Sequence, residues 1–263
     1  MPEHAELRIV ADFINSKSNK KTFSKIWHVH KGNNPEDSKL IENFELTAES
    51  HGKELILRAK NESSICNISV FMGMTGNWKW VSTDEWSETK FTRMRIDSTC
   101  GYSLLLFGYY MGPKYRVGGF TGVKRGPDPV KQKELFISNI KNNLDKKDFN
   151  KSIAEVILNQ KWFNGIGAYL TAEILGRLDL NPLMRFNSLT EEQLDTLLDR
   201  TIEACNKAYE YGGGELLDWD NPFGESKIDE WIKFYGNKDE CRKLRVGTRN
   251  IWVKKQWLSN DNN

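Results

Sequence analysis

The stretch Lys124-Arg125-Gly126-Pro127-Asp128-Pro129 constrains the fold most, because no helix or strand can run through it. Each proline removes a backbone donor and biases the residue before it away from the helical region. The texture of the chain differs on its two sides. From 22 to 122 it carries short apolar or alternating runs, at 26–29, 54–57, 68–71 and 103–107, split by Gly, Asn, Ser and Pro. Runs this short, at this spacing, predict an antiparallel β-sandwich. Before them, Leu7, Val10, Ala11 and Ile14 fall on one face of a helix predicted over 5–16, followed by a polar break to Lys21.

Beyond the prolines the apolar period becomes helical, over 132–144, 152–158, 168–177, 190–209 and 226–235. Thr190-Glu191-Glu192-Gln193 has the form of a capping box. Near the end, 242–246 and 251–254 flank Gly247-Thr248-Arg249-Asn250, a predicted hairpin. The expected class is α+β. A β-sandwich domain covers 1–122, a linker 123–131, a helical domain 132–240 and a terminal hairpin 241–258.

Bulk properties exclude more than they assign. No run of about 18 apolar residues marks a membrane span, and the N-terminus lacks a basic and apolar leader, so an intracellular, non-secreted protein is expected. The net charge of +2 permits nucleic-acid binding without demanding it. Locally, 226–257 holds nine Lys/Arg against four Asp/Glu. Cys66, Cys100, Cys205 and Cys241 form no C-x-x-C pair, and His4, His28, His30 and His51 all lie early in the chain. Structural zinc sites normally need closely spaced pairs of such ligands, so no metal is expected.

Four features could carry chemistry. Removal of Met1 would leave Pro2 with a secondary amine able to condense with an aldehyde carbon, and Glu3 beside it could move a proton. Met-Pro-Glu alone is also an ordinary chain start. Lys53, after Gly52 at the mouth of an apolar strand, could meet a phosphate or serve as an acid, or be a solvated strand-end lysine. Asn164-Gly165-Ile166-Gly167 joins two helices, and free N–H groups at the second helix could hold a phosphate, with Asn164 adding a donor; a plain connection between core helices is the other reading. The terminal hairpin carries Arg249, near Arg242, Arg245 and Lys254. Basic ribbons of this kind position a sugar-phosphate backbone, or act as solvated edge strands.

Together and in this order, the four features resemble the formamidopyrimidine-DNA glycosylase/endonuclease VIII family, and most of all its endonuclease VIII-like branch with a zincless finger. The family begins Met-Pro-Glu-Gly-Pro-Glu; this chain begins Met1-Pro2-Glu3-His4-Ala5-Glu6. Its Gly-Lys-Glu-Leu segment is similar to Gly52-Lys53-Glu54-Leu55, and its Phe-Gly-Met-Ser-Gly to the run from Phe71 to Gly76. Its helix–two-turn–helix sequence nearly matches Leu158 through Leu170, and its finger Arg-Thr-Ile-Trp corresponds to Arg249-Asn250-Ile251-Trp252.

The resemblance implies Pro2 as Schiff-base nucleophile, Glu3 as its acid–base partner and Lys53 as an essential phosphate-contacting group. It implies DNA contacts by Asn164, Gly165, Gly167 and Arg249, and Met74 as the side chain that fills the void left by an extruded base. The substrates implied are oxidised pyrimidines and formamidopyrimidines in damaged DNA, removed by a monomer without a cofactor. The Gly212-Gly213-Gly214 to Gly224 segment would contribute to the base pocket, although its composition also suits a surface loop. One departure is clear: against the family's Asp-x-Arg-x-Phe-Gly loop this chain reads Tyr109-Tyr110-Met111-Gly112-Pro113-Lys114-Tyr115-Arg116, and neither the Arg nor the Phe aligns. A noncatalytic DNA-binding module would leave Pro2, Glu3 and Lys53 unused. An N-terminal-proline tautomerase would leave the second half unexplained.

Overall fold

A computed structural model describes residues 2–29, 36–37, 40–85, 90–109, 111–118, 124–214, 219–224 and 226–258. The chain forms two compact units: Met1–Val123 with Gly212–Ser226, and Lys124–Tyr211 with Lys227–Asn263. The sequence division runs 132–240 as one helical domain, whereas the structure gives Gly212–Ser226 to the first unit.

The first unit opens with α1 (His4–Ser18), followed by β1 (Thr22–His28), β2 (Glu36–Asp37), β3 (Phe44–His51), β4 (Glu54–Lys60), β5 (Ile65–Phe71), β6 (Asn77–Ser82), β7 (Thr92–Ser98), β8 (Tyr102–Phe107) and β9 (Lys114–Val117). All the pairings are antiparallel, along the path β6-β8-β7-β1-β3-β4-β5-β9, with the short β2 on β1. Only Thr22↔Glu45 and Phe23↔Phe44 join β1 to β3, so the path consists of two four-strand halves. The expected sandwich is thus one hydrogen-bonded path. His28 of β1 stacks on Tyr115 of β9 with centroids 5.2 Å apart, which brings the far edge back toward β1.

Alternation explains the strands. β3 buries Phe44, Leu46, Ala48 and Ser50 while Glu45, Thr47 and Glu49 face water, the one-sided pattern of a sheet with a single core face. Helix α1 lies on β3. Past the two pairs with β1, the edge of β3 is satisfied by a side chain: Asn15 Nδ2 donates to the Ala48 carbonyl at 2.9 Å, and Asn15 Oδ1 accepts from the Ala48 N–H at 2.7 Å. An open strand edge needs such partners.

The second unit holds α2 (Lys133–Lys141), α3 (Ile153–Ile157), α4 (Ala168–Leu178), α5 (Glu191–Glu210), α6 (Ile228–Trp231), β10 (Cys241–Val246) and β11 (Arg249–Lys254). Its core is aromatic: Phe136, Phe149, Trp162, Phe163 and Phe186 are buried, with Phe149 4.6 Å from Trp162 and 5.1 Å from Phe186. The capping box at α5 forms as read, with Gln193 N–H on Thr190 Oγ1 at 3.2 Å and Thr190 N–H on Gln193 Oε1 at 3.0 Å.

The helix expected over 226–235 is one turn instead. After Ile232 becomes extended, the N–H groups of Lys233, Phe234 and Tyr235 turn onto the buried carboxylate of Glu173 in α4, at 3.1, 2.8 and 2.9 Å to Oε1. A carboxylate that accepts several N–H bonds outcompetes the next helical turn. Arg177 adds a 3.1 Å contact to the same carboxylate, and the Phe234 ring packs where a side chain on Gly176 would stand.

Candidate active site and nucleic-acid interface

In the first unit Pro2 and Glu3 precede α1, and both are buried. Met1 lies outside the described residues. Glu3 is the N-cap, and its N–H donates to Glu6 Oε2 at 2.6 Å. The other oxygen of Glu6 accepts from the Gly214 N–H, also at 2.6 Å. One carboxylate therefore ties the first turn of α1 to a segment more than two hundred residues away, and it sits where the helix dipole favours negative charge.

The backbone there favours glycine at position 213. Gly213 has φ +73°, and a Cβ on it would lie 3.0 Å from Glu6 Oε1 and 3.2 Å from the Trp219 ring. Ser226 Oγ donates to the Gly213 carbonyl at 2.5 Å, and Asn221 Nδ2 to that of Gly212 at 2.9 Å. The described part of the glycine-rich segment thus packs on the first turns of α1 through Glu6 and Ile9; residues 215–218 and 225 of it lie outside the described residues.

Lys53 occupies the two-residue turn between β3 and β4, closed by His51↔Glu54. Gly52 takes φ +57° and Lys53 does not share the left-handed conformation, the pattern of a type II′ hairpin turn. The alternative of a solvated strand-end lysine does not hold, since Lys53 is 4% exposed. Met74 lies in the turn between β5 and β6 and is partly exposed.

In the second unit two turns connect α3 to α4. Gln160 organises them: its Nε2 donates to the Leu158 and Ile166 carbonyls at 3.2 and 2.8 Å, and its Oε1 accepts from the Gly165 N–H at 3.0 Å. The Gly165 amide is used inside the turn, and its φ of +98° is what requires glycine. Gly167 is the N-cap of α4 and supplies no side-chain cap.

Asn164 is fully buried. Its Nδ2 donates to the Gly126 carbonyl at 2.9 Å and its Oδ1 accepts from Arg125 Nη1 at 3.4 Å. The same side chain anchors the Pro-rich strap. A Cβ on Gly126 would lie 2.3 Å from the Lys161 carbonyl oxygen, so strap and turn are in direct backbone contact. Arg125, Gln160 and Glu6 were not identified from sequence; their partners are distant carbonyls and amides that no local pattern marks.

Arg249 starts β11 opposite Val246, across the Gly247-Thr248 turn. Cys241, Val246, Ile251 and Val253 are buried beneath the hairpin, and Lys254 Nζ meets Asp179 at 2.7 Å. Arg249 Nη1 is shielded from solvent and makes no hydrogen bond among the described residues, which suits an anion as its partner.

The geometry defines a class: an α+β protein with a buried proline–glutamate start, a turn-linked helix pair and a basic hairpin. The chain is 30% identical to human Endonuclease 8-like 1 over 207 residues, 73% of this chain and 51% of that protein. It is 26% identical to Endonuclease 8 of Escherichia coli K12 over 215 residues, 80% of each. It spans about half the length of the human and mouse relatives. In structure it matches a Lactococcus lactis FPG mutant complexed with Fapy-dG-containing DNA, with a TM-score of 0.82 and 18% identity over 97% of this chain and 99% of that one. MutM in complex with carbocyclic 8-oxo-G-containing DNA gives 0.79 at 18% identity, again over 97% and 99% of the two chains. No family model matches. The chain belongs to the formamidopyrimidine-DNA glycosylase/endonuclease VIII family.

Proposed function

We propose that this chain is a bifunctional DNA glycosylase and abasic-site lyase of base excision repair, acting as a monomer on damaged DNA. The observation that carries the reading is the buried Pro2-Glu3 pair at the head of α1, fixed through Glu6 to the Gly213-Gly214 backbone. It joins a candidate nucleophile, a proton carrier and a segment able to border a base.

With Met1 removed, the Pro2 amine attacks the deoxyribose C1′ while Glu3 protonates the ring oxygen. The damaged base leaves with the C1′–N bond electrons and takes up a proton. The product is an iminium, which acidifies the C2′ proton; loss of that proton expels the 3′ phosphate, and a second elimination expels the 5′ phosphate. Water then hydrolyses the iminium and frees the amine. Lys53 meets a phosphate or donates a proton beside the nucleophile. Oxidised pyrimidines and formamidopyrimidines are the proposed bases.

DNA attachment is assigned to Arg249 and to the N-terminal end of α4 framed by Asn164, Gly165 and Gly167, with Met74 filling the vacated stack. Borohydride reduction tests the lyase step. Mixed with an abasic-site oligonucleotide, the processed protein should be trapped covalently, and Pro2→Gly should not. A processed wild type that binds but never crosslinks would leave only a DNA-binding module.

A further inference from the structure

One edge of the sheet ends at β6, which pairs with β8 alone among the described residues. Two bonds fix which way its backbone points. The Thr83 N–H donates to the Gly101 carbonyl at 2.9 Å, so the odd-numbered residues of β6 face β8. The Trp78 N–H points the other way and is taken by Asn77 Oδ1 at 2.8 Å. Trp80 and Ser82 repeat that direction at the strand's period of two. Their N–H and carbonyl groups line an open edge and bond to no other backbone among the described residues.

The edge opens into a groove of about 360 Å³ between α1 and the segment 220–222, with Phe13, Lys17, Trp80 and Pro222 among its walls. Asn77 Nδ2 holds that segment by donating to the Asp220 carbonyl at 3.1 Å. Exposed rings border the groove. Trp80 stacks on Tyr102, which is 45% exposed, with centroids 5.5 Å apart. Phe223, 56% exposed, meets Phe13 edge-on at 5.5 Å, and its N–H is fixed on Asn221 Oδ1 at 2.9 Å.

Charge selects the occupant. Lys17 and Lys79 line the groove against one carboxylate, Asp220, and Lys21 Nζ stands 5.9 Å from the Trp80 ring. A second copy paired along the same edge would set like charges against one another. A nucleic-acid backbone would satisfy the lysines, but its phosphates only accept hydrogen bonds and would leave the outward carbonyls unpaired. A peptide strand supplies donors and acceptors in the alternation that this edge requires. We propose that the β6 edge binds, as an added strand, an extended segment of a partner protein in which acidic residues alternate with apolar ones. Its apolar side chains enter the groove beside Phe13 and Trp80, and its carboxylates meet Lys17, Lys21 and Lys79. The site shares no side chain with Pro2, Glu3 or Lys53 and stands apart from the lyase reading.

The test uses the full chain and a fluorescein-labelled peptide of about ten residues, in which Glu and Asp alternate with Val, Ile and Phe. Fluorescence anisotropy follows its binding, that of a counterpart with Lys for each acid, and that of the acidic peptide N-methylated at alternate amides. The expected result is saturable binding of the unmodified acidic peptide alone. Affinity should fall about tenfold or more in the double variant Lys17→Glu/Lys21→Glu, and as far in Ser82→Pro, which removes a donor that β8 does not use. Circular dichroism checks that the variants are folded; where one is not, the N-methylated peptide, tested on the wild type, decides. N-methylated peptide that binds as tightly as its parent, equal binding of the lysine counterpart, unchanged affinity in the folded variants, or displacement of the peptide by oligothymidylate would each overturn the proposal. None of these results depends on Pro2, so failure of the lyase reading shows separately, as a lack of borohydride trapping.

Discussion

Glu6 and Gly214 are joined by a 2.6 Å hydrogen bond from the Gly214 N–H to the Glu6 carboxylate, across 208 positions of chain. The same carboxylate holds the Glu3 N–H, so the backbone beside the proposed nucleophile and the glycine-rich segment share one anchor. Charge-assisted bonds of this kind are stronger than neutral ones.

Gly213→Ala should disturb that anchor without unfolding the unit. At φ +73°, and with Glu6 Oε1 3.0 Å away, the new Cβ costs about 1–2 kcal/mol. Release of an oxidised base should slow by roughly tenfold, while strand cleavage at a preformed abasic site stays near wild type. Equal loss in the two assays would detach the segment from base recognition.

Glu173→Gln tests what holds the hairpin approach. Its carboxylate receives three backbone N–H groups and Arg177 inside the second unit. Losing the charge should cost about 2–3 kcal/mol and lower the unfolding midpoint by roughly 4–10 °C. Hydrogen exchange should quicken at Lys233, Phe234 and Tyr235; unchanged exchange there would remove Glu173 as the clamp.

Arg249→Ala should weaken DNA binding uniformly across sequences. If Arg249 contacts a phosphate, the slope of log affinity against log salt falls by about 1. An unchanged slope would assign the arginine to packing of the hairpin alone.

Burial pushes the Tyr115 phenol up to about 12. The fold therefore favours the neutral phenol, and this contribution is complete below the unfolded value of about 10. It is lost as pH rises through about 12. Denaturant titrations should show stability falling over that window, with a shallower fall in Tyr115→Phe; identical slopes would contradict the burial effect.

Local signals in the sequence marked local structure well. The Thr190–Gln193 box, the turn-linked helices and the Gly247 hairpin each depend on residues a few positions apart, and each formed. Contacts that close over long separations were not legible. Periodicity over 226–235 promised a helix because it cannot register Glu173, whose carboxylate draws the N–H groups away. Asn164 was readable as important but not as buried, since its partner Gly126 lies in the proline strap, 38 positions away. The Glu6–Gly214 link left no trace in composition or spacing.

The most direct measurement locates the covalent bond. Borohydride-trapped complex is digested with trypsin and nuclease, and the modified peptide is sequenced by mass spectrometry. The expected adduct lies on Pro2 in the peptide of residues 2–8, Pro-Glu-His-Ala-Glu-Leu-Arg, which contains no lysine. An adduct on Lys53, or a trapped protein whose peptide 2–8 is unmodified, would contradict the assignment of Pro2 as nucleophile.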